Sequence, residues 1–453
     1  MNVLYIHTHD SGRIISPYGY QTPTPNLWSF AQESLLFRNA FCVSPTCSPS
    51  RAALLTGQYP HQNGMLGLAQ RGFKLDPKKH LARFLSQKGY NTVLCGIQHE
   101  YGWYLDRDGA AETLGYADNI TCDNSGYEQE QLVQWDALNA DAMCNWLDDY
   151  KGDKPFFASF GMYATHRRYP KQIAEDITEQ YLLPPPPMPN SAETRRDYAQ
   201  YLTSLKSADS CFGRVIDSLR RNKLYEKTLV IFTTDHGLAN PFTKCNLNDS
   251  GTGVVLMIRN PNSAVNGQVV DGLVSHLDVF PTLCELLGID KPQGLEGKSF
   301  AKCFSNADTP TNRYIFGEVN FHTSYEPIRS VRSERYRYVR YFDQYEHVNF
   351  SNIDESLSKQ YFSDNGLSEV IKPKEILYDL IYDREEKNNV VNRKEYAVVL
   401  SELKTALAQF MLETDDPLLK GQIELQPQWK VNKRECTTAS SKKPQDYDSL
   451  GLA

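Results

Sequence analysis

Short apolar runs alternate along this chain with longer stretches of helical period. Residues 2–8 swing loosely between apolar and polar positions and run into His9-Asp10-Ser11-Gly12, the pattern of a strand that ends in a loop. Asn91–Cys95, Pro155–Phe160, Thr228–Thr234 and Gly253–Ile258 are further strand candidates. Helical patterns lie between them. Pro25–Ser34 reads as a helix opened by proline, Ala52–Leu55 as the first turns of another, and Leu277–Leu287 as one more. The clearest helix spans about Ala192 to Leu219, where Tyr198, Tyr201, Leu205, Ala208, Phe212 and Leu219 share one face suited to core packing.

Strands alternating with helices predict a layered α/β domain, here over residues 1–310. From about residue 311 the pattern changes. Arg332–Phe342 is tyrosine-rich and alternating, Ile376-Leu377-Tyr378-Asp379-Leu380 is a short apolar run, and Tyr396–Leu412 has helical period. Residues 311–453 thus read as a smaller C-terminal α+β subdomain whose last two dozen residues form a polar tail, mobile or wrapped around a neighbour. Pro184–Pro187 reads as a stiff extended segment on the surface.

Charge narrows the partners. The 453 residues carry 48 basic and 55 acidic side chains, a net charge of −7, which argues against a nucleic-acid binder. An anionic small substrate stays compatible if a few cations are focused in one pocket. No apolar run approaches the roughly 18 residues of a membrane span, and no leader pattern opens the chain, so the expected location is cytoplasmic. The ten cysteines are scattered without CxxC pairs, unlike a disulfide scaffold or a zinc ribbon. A homo-oligomer stays open.

One cysteine has chemically suggestive neighbours. Pro45-Thr46-Cys47-Ser48-Pro49-Ser50-Arg51-Ala52-Ala53-Leu54-Leu55-Thr56-Gly57 sets Cys47 at the start of a helix. A helix N-terminus lowers a thiol pKa and attracts anions, and Arg51 strengthens both effects. The plainer reading is a buried structural cysteine beside a capping serine.

This segment resembles the sulfatase signature, which Cys47, Pro49, Ser50, Arg51, Thr56 and Gly57 match. Further resemblances at Asp10, Pro25–Leu27, His99, His166 and Asp235–Gly237 cover most of residues 2–300. The resemblance implies an alkaline-phosphatase-like fold, a large mixed β-sheet flanked by helices. It also implies that a separate maturation enzyme oxidises Cys47 to formylglycine. In the family, one hydroxyl of the hydrated aldehyde attacks sulfur and the other later expels sulfate, splitting one displacement into two easier steps.

A divalent metal activates that nucleophile in the family. Asp10 matches the second residue of the family's Asp-Asp pair, but His9 replaces the first. Thr233-Thr234-Asp235-His236-Gly237, after the apolar run Leu229–Phe232, resembles the second metal segment. His9, Asp10, Asp235, His236 and the modified Cys47 are therefore the implied metal group. Calcium is the first expectation, with magnesium, manganese or zinc as alternatives, because paired imidazoles are softer than carboxylates. His9 stands otherwise behind a ligating water, and His7 reads as a hydrogen-bonded core residue.

Arg51 matches the arginine that orients the nucleophile, His166 the histidine that contacts sulfate or protonates the leaving group, and Lys244 a sulfate-binding lysine. His99 matches the histidine of a Gly-Lys-x-His segment whose lysine position holds Ile97, so Arg167 or Arg168 is expected to supply the lost cation. Phe37–Phe41 and His61–Met65 look closest to the heparan N-sulfatase branch, which implies a sulfated amino sugar cleaved at N–S or O–S. Two rivals stand beside this reading: a phosphonate or phosphodiester hydrolase of the same superfamily, and a catalytically silent protein that binds sulfated glycans.

Overall fold

The computed structural model describes residues 1–102 and 109–448. Its strands are β1 (Asn2–Thr8), β2 (Leu35–Phe41), β3 (Asn91–Gly96), β4 (Asp118–Asn119), β5 (Phe156–Gly161), β6 (Thr228–Thr234), β7 (Leu256–Arg259) and β8 (Val269–Ser275) in the N-terminal part. They form one eight-stranded sheet in the order β4-β3-β5-β1-β6-β7-β2-β8. β7 runs antiparallel to β6 and β2, and the other neighbours are parallel. The sheet is thus mixed, and its central strands are buried along their whole length, as a sheet covered on both faces requires.

The period of two divides each central strand between two cores. Val3, Tyr5, Leu229 and Ile231 pack on one side with Leu54 and Leu55 of the Cys47–Thr56 helix and Phe280 of the Val279–Leu287 helix. Leu4, Ile6, Val230 and Phe232 pack on the other with Met143 and Leu147 of the Leu132–Asp149 helix and with the apolar stripe of the Ala192–Arg221 helix. Burying one leucine-sized side chain in such a core contributes about 1.5–3 kcal/mol.

Register sets where the chemistry lies. Gly96, Gly161, His7 and Thr233 stand side by side on β3, β5, β1 and β6, so the loops that follow emerge together at the carboxyl edge of the sheet. That edge is the usual ligand crevice of open α/β sheets.

A second sheet comprises β9 (Ile315–Phe321), β10 (Tyr325–Arg332), β11 (Tyr336–Tyr341) and β12 (Glu375–Asp379), antiparallel in the order β12-β11-β10-β9. The Ala397–Glu413 helix covers it through Leu403, Leu407, Phe410 and Met411. Arg329 of β10 and Asp416 form a buried bidentate pair at 2.5 and 2.9 Å. The polar tail, as far as Asp448, lies against its own chain: Arg71 donates to Lys430 O (2.8 Å) and Asn432 Oδ1 (2.5 Å), and Val431 is buried. It neither hangs loose nor needs a neighbour there. Among the described residues no helix is long and apolar enough to cross a membrane.

Candidate active site

The Cys47–Thr56 helix starts after an extended Thr46 and ends at Gly57, whose φ of 64° is the left-handed cap that glycine supplies without strain. Every residue of this helix is buried. Its first turn abuts the loops after β1 and β6: Ser50 Oγ donates to Asp235 O at 2.5 Å, and His236 Nε2 lies 3.3 Å from Cys47 Sγ. Those two loops touch closely. Gly12 N donates to His236 O at 2.7 Å, and a Cβ on Gly237 would fall 1.8 Å from Ser250 O, so only glycine fits there.

Around Cys47 the expected donors converge. One ligating atom each from His9, Asp10, Cys47 and Asp235 lie within 4.8 Å of one another, and all four residues are buried. His236 Nε2 joins them, 3.2 Å from Asp10 Oδ1 and 3.7 Å from Asp235 Oδ2, while His9 Nδ1 lies 3.3 Å from Asp235 Oδ2. His9, Cys47 and His99 form a second such group, so His99 stands nearer the donors than its sequence position suggested. Two carboxylates, two imidazoles and a cysteine, all buried at one point, suit a divalent cation.

Arg51 locks this cluster from behind. Its Nη1 meets His7 Nδ1 at 2.6 Å, and Nη2 donates to Thr8 O and Asp235 Oδ2, both at 3.1 Å. His7 is therefore the hydrogen-bonded core residue expected, with the added task of fixing the guanidinium. Burial would raise Asp235, but the charges of His236 and Arg51 outweigh it and hold its carboxyl well below the usual range.

Cys47 departs from the expectation of an acidic thiol. Burial pushes its pKa far above the ordinary value; the Lys244 charge opposes this, while the Asp10 and Asp235 carboxylates reinforce it. The sulfur is buried and faces two anions, and both oppose a thiolate.

Lys244 Nζ donates to Asp10 Oδ2 at 3.3 Å and to Asp354 Oδ2 at 2.9 Å. Burial opposes its charge, yet these carboxylates hold its pKa well above the usual lysine value. His166 is half-buried at the rim, its ring edge-on to His9 with centroids 5.3 Å apart. His99 Nε2 meets Gln70 Oε1 at 2.7 Å; burial, seconded by Arg51, keeps its ring neutral.

The replacement cation expected for Ile97 does not come from the neighbouring arginines. Ile97 packs with Leu132, Trp135 and Tyr163. Arg167 grips Asp197 with both terminal nitrogens at 2.7 Å and also donates to Asn240, and Arg168 is exposed beside Glu130. Arg167 is thus committed to Asp197 and Asn240, and Arg168 to solvent.

Three contributors escaped sequence reasoning. Asp136 of the Leu132–Asp149 helix accepts the backbone N–H groups of Tyr163 (2.7 Å) and Ala164 (2.8 Å), bracing the loop that carries His166. Its only signal is a carboxylate on the buried face of an amphipathic helix. Asp354 and His322 come from the C-terminal part, where nothing in the local sequence links them to Cys47.

Comparison with known proteins accords with this geometry. Residues 1–289 match the family model for sulfatases, and residues 235–375 match that for the C-terminal region of N-sulphoglucosamine sulphohydrolase. The chain belongs to the sulfatase family and is a hydrolase of that class. Human N-sulphoglucosamine sulphohydrolase is 28% identical over 92% of this chain and 91% of its own. A solved structure in complex with its substrate D-glucosamine-2-N,6-O-disulfate superposes with a TM-score of 0.70 at 17% identity, covering 92% of this chain and 98% of that one. The phosphonate monoester hydrolase of Silicibacter pomeroyi shares the fold as well, with a TM-score of 0.71 at 20% identity over 92% and 96% of the two chains.

Proposed function

We propose that this protein hydrolyses a sulfate ester or sulfamate on a sugar, most directly a sulfated amino sugar, with formylglycine made from Cys47 as nucleophile. The observation that carries the reading is the convergence of Cys47, at a buried helix N-terminus, with Asp10, Asp235, His9 and His236. Similarity to the human sulphoglucosamine enzyme along nine-tenths of the chain supports the amino-sugar substrate class.

His9, Asp10, Asp235 and His236, with the oxidised Cys47, would hold the divalent metal. When bound, it would lower the pKa of the nucleophile's hydroxyl and neutralise charge on sulfuryl oxygens. Two imidazoles among the donors draw the preference from calcium toward manganese or zinc.

The chain's own residues do the rest. Arg51 fixes Asp235 and, through it, the Asp10 backbone, whose N–H donates to Asp235 Oδ1 at 2.8 Å. The helix N-terminus and Lys244 place positive potential where the sulfate group lies, so negative charge is stabilised by groups already in position. His166, half-buried beside His9, would give a proton to the departing nitrogen or oxygen. The rival reading, glycan binding without turnover, is tested by the same experiment that tests the nucleophile.

That experiment is co-expression with a maturing enzyme. Peptide mass should fall by about 18 Da at Cys47, a covalent change outside the genetic code. The matured protein should turn over sulfamate or sulfate esters faster than phosphodiesters, and Cys47→Ala should abolish turnover. A clear phosphodiester preference, or activity that survives Cys47→Ala, would overturn the reading.

A further inference from the structure

The β9–β10 hairpin carries, beside the loop that leads to Asp354, a histidine that neither the nucleophile nor the metal group uses. His322, at its tip, is 4% exposed, and neither ring nitrogen has a hydrogen-bond partner among the described residues. A buried imidazole left without hydrogen bonds is destabilising, so such a group calls for a function.

Its placement is over-determined. Asn352 Oδ1 accepts the backbone N–H groups of Thr323 (3.0 Å) and Ser324 (2.9 Å), and Thr323 Oγ1 donates to Ser351 O at 2.5 Å. The loop that holds the hairpin tip also carries Asp354, which pairs with Lys244, which in turn pairs with Asp10. Cys245, beside Lys244, contacts Asn352 O through its sulfur at 3.6 Å and donates its N–H to Pro45 O at 2.8 Å, two residues before Cys47. On the other side, Phe321 N donates to Leu66 O at 3.1 Å, close in sequence to the Gln70 that meets His99. The hairpin tip is thereby held between the loop that carries Asp354 and the segment that begins at Leu66. Burial, then the Lys244 charge, keep the His322 ring uncharged.

We propose that His322, with Asp354 beside it, binds a ring hydroxyl of the sugar that carries the sulfate, setting the preference for saccharide over simpler sulfate esters. The proposal rests on the sulfatase reading above and extends it to the leaving group. A neutral imidazole offers one donor and one acceptor, the complement of a hydroxyl, and a carboxylate accepts a neighbouring hydroxyl's hydrogen. An aryl leaving group has no hydroxyl to engage them.

The test uses the full chain in two forms. In a Cys47→Ala background, calorimetry with D-glucosamine 2-N-sulfate and with phenyl sulfate compares His322 with His322→Ala and His322→Gln. In the matured enzyme, kcat/KM is compared on D-glucosamine 2-N-sulfate and on 4-nitrophenyl sulfate. The expected result is that His322→Ala lowers saccharide binding and kcat/KM roughly ten- to a hundredfold more than it lowers the aryl values. Glutamine, which also donates and accepts, should recover part of that difference. Equal losses on both probes, a difference below threefold, or no saccharide binding by the Cys47→Ala parent would overturn the proposal. Aryl sulfate turnover without saccharide binding would sink this inference and leave the sulfatase reading intact.

Discussion

Replacing Asp235 by asparagine keeps the shape of the side chain and removes the charge that ties the site together. Oδ1 accepts the backbone N–H groups of Asp10 at 2.8 Å and His236 at 2.9 Å, while Oδ2 faces Arg51 Nη2 at 3.1 Å and His9 Nδ1 at 3.3 Å. Two backbone donors fix the orientation of the new amide. Its oxygen must stay at the Oδ1 position, which turns its nitrogen, a donor, toward the guanidinium. Arg51, 2% exposed, then keeps a buried charge without a counter-ion. Removing one partner of such a pair costs about 3–5 kcal/mol. Chemical denaturation in the presence of a chelator measures this cost free of any metal contribution. The double variant Arg51→Met/Asp235→Asn, which takes the charge away with its partner, should recover most of the loss. Without chelator, the single variant should also purify with little metal, as read by elemental mass spectrometry. An Asp235→Asn protein within about 1 kcal/mol of the parent and still loaded with metal would refute the reasoning.

Other outcomes follow from the same geometry. Lys244→Met should lower kcat/KM by roughly a hundredfold, because it removes a preorganised cation from the sulfate's side of the site; steady-state kinetics on the matured enzyme check this, and a change within threefold would contradict it. Burial lifts Asp136 from 3.8 to about 7, against the backbone N–H bonds of Ala164 and Tyr163. The folded chain therefore keeps a proton that the unfolded chain has already lost, so this group's contribution to stability falls as pH rises from about 4 to 7 and is level above that window. Urea melts should show that component of the slope vanish in Asp136→Asn. Arg329→Met should cost about 3–5 kcal/mol by stranding Asp416 in the core, visible as a lowered denaturation midpoint with KM unchanged.

Legibility in the sequence followed contiguity. Cys47–Gly57 and Thr233–Gly237 are unbroken segments whose spacing alone sets a helix start and a strand end, and both occupy the places expected. β2 went unseen because Arg38 and Asn39 interrupt its apolar run where a register shift lies between Phe37 and Asn39. The sequence left the Cys47 thiol open between a lowered and an ordinary pKa, because a helix start is visible in it, whereas two carboxylates packed beside a buried sulfur are not. Arg167 and Arg168 were misplaced for a related reason: Asp197 and Glu130, which hold them, are distant in sequence. Asp354 meets Lys244 from 110 residues further along the chain, a pairing that no local pattern announces.

If Cys47 is oxidised as proposed, the burial of its helix also imposes an order of events. Cys47, Ser48, Ser50 and Arg51 are each at most 2% exposed, so an oxidising enzyme that reads this segment finds nothing of it on the finished surface. Cys47 sits under the β1 and β6 loops, and those strands belong to the innermost part of the sheet. Local fraying does not release such a segment; only opening of the domain does. On that reading oxidation would have to win a race against folding. Any change that speeds closure of this sheet would yield more well-folded protein carrying an unconverted cysteine, perfectly stable and without a nucleophile.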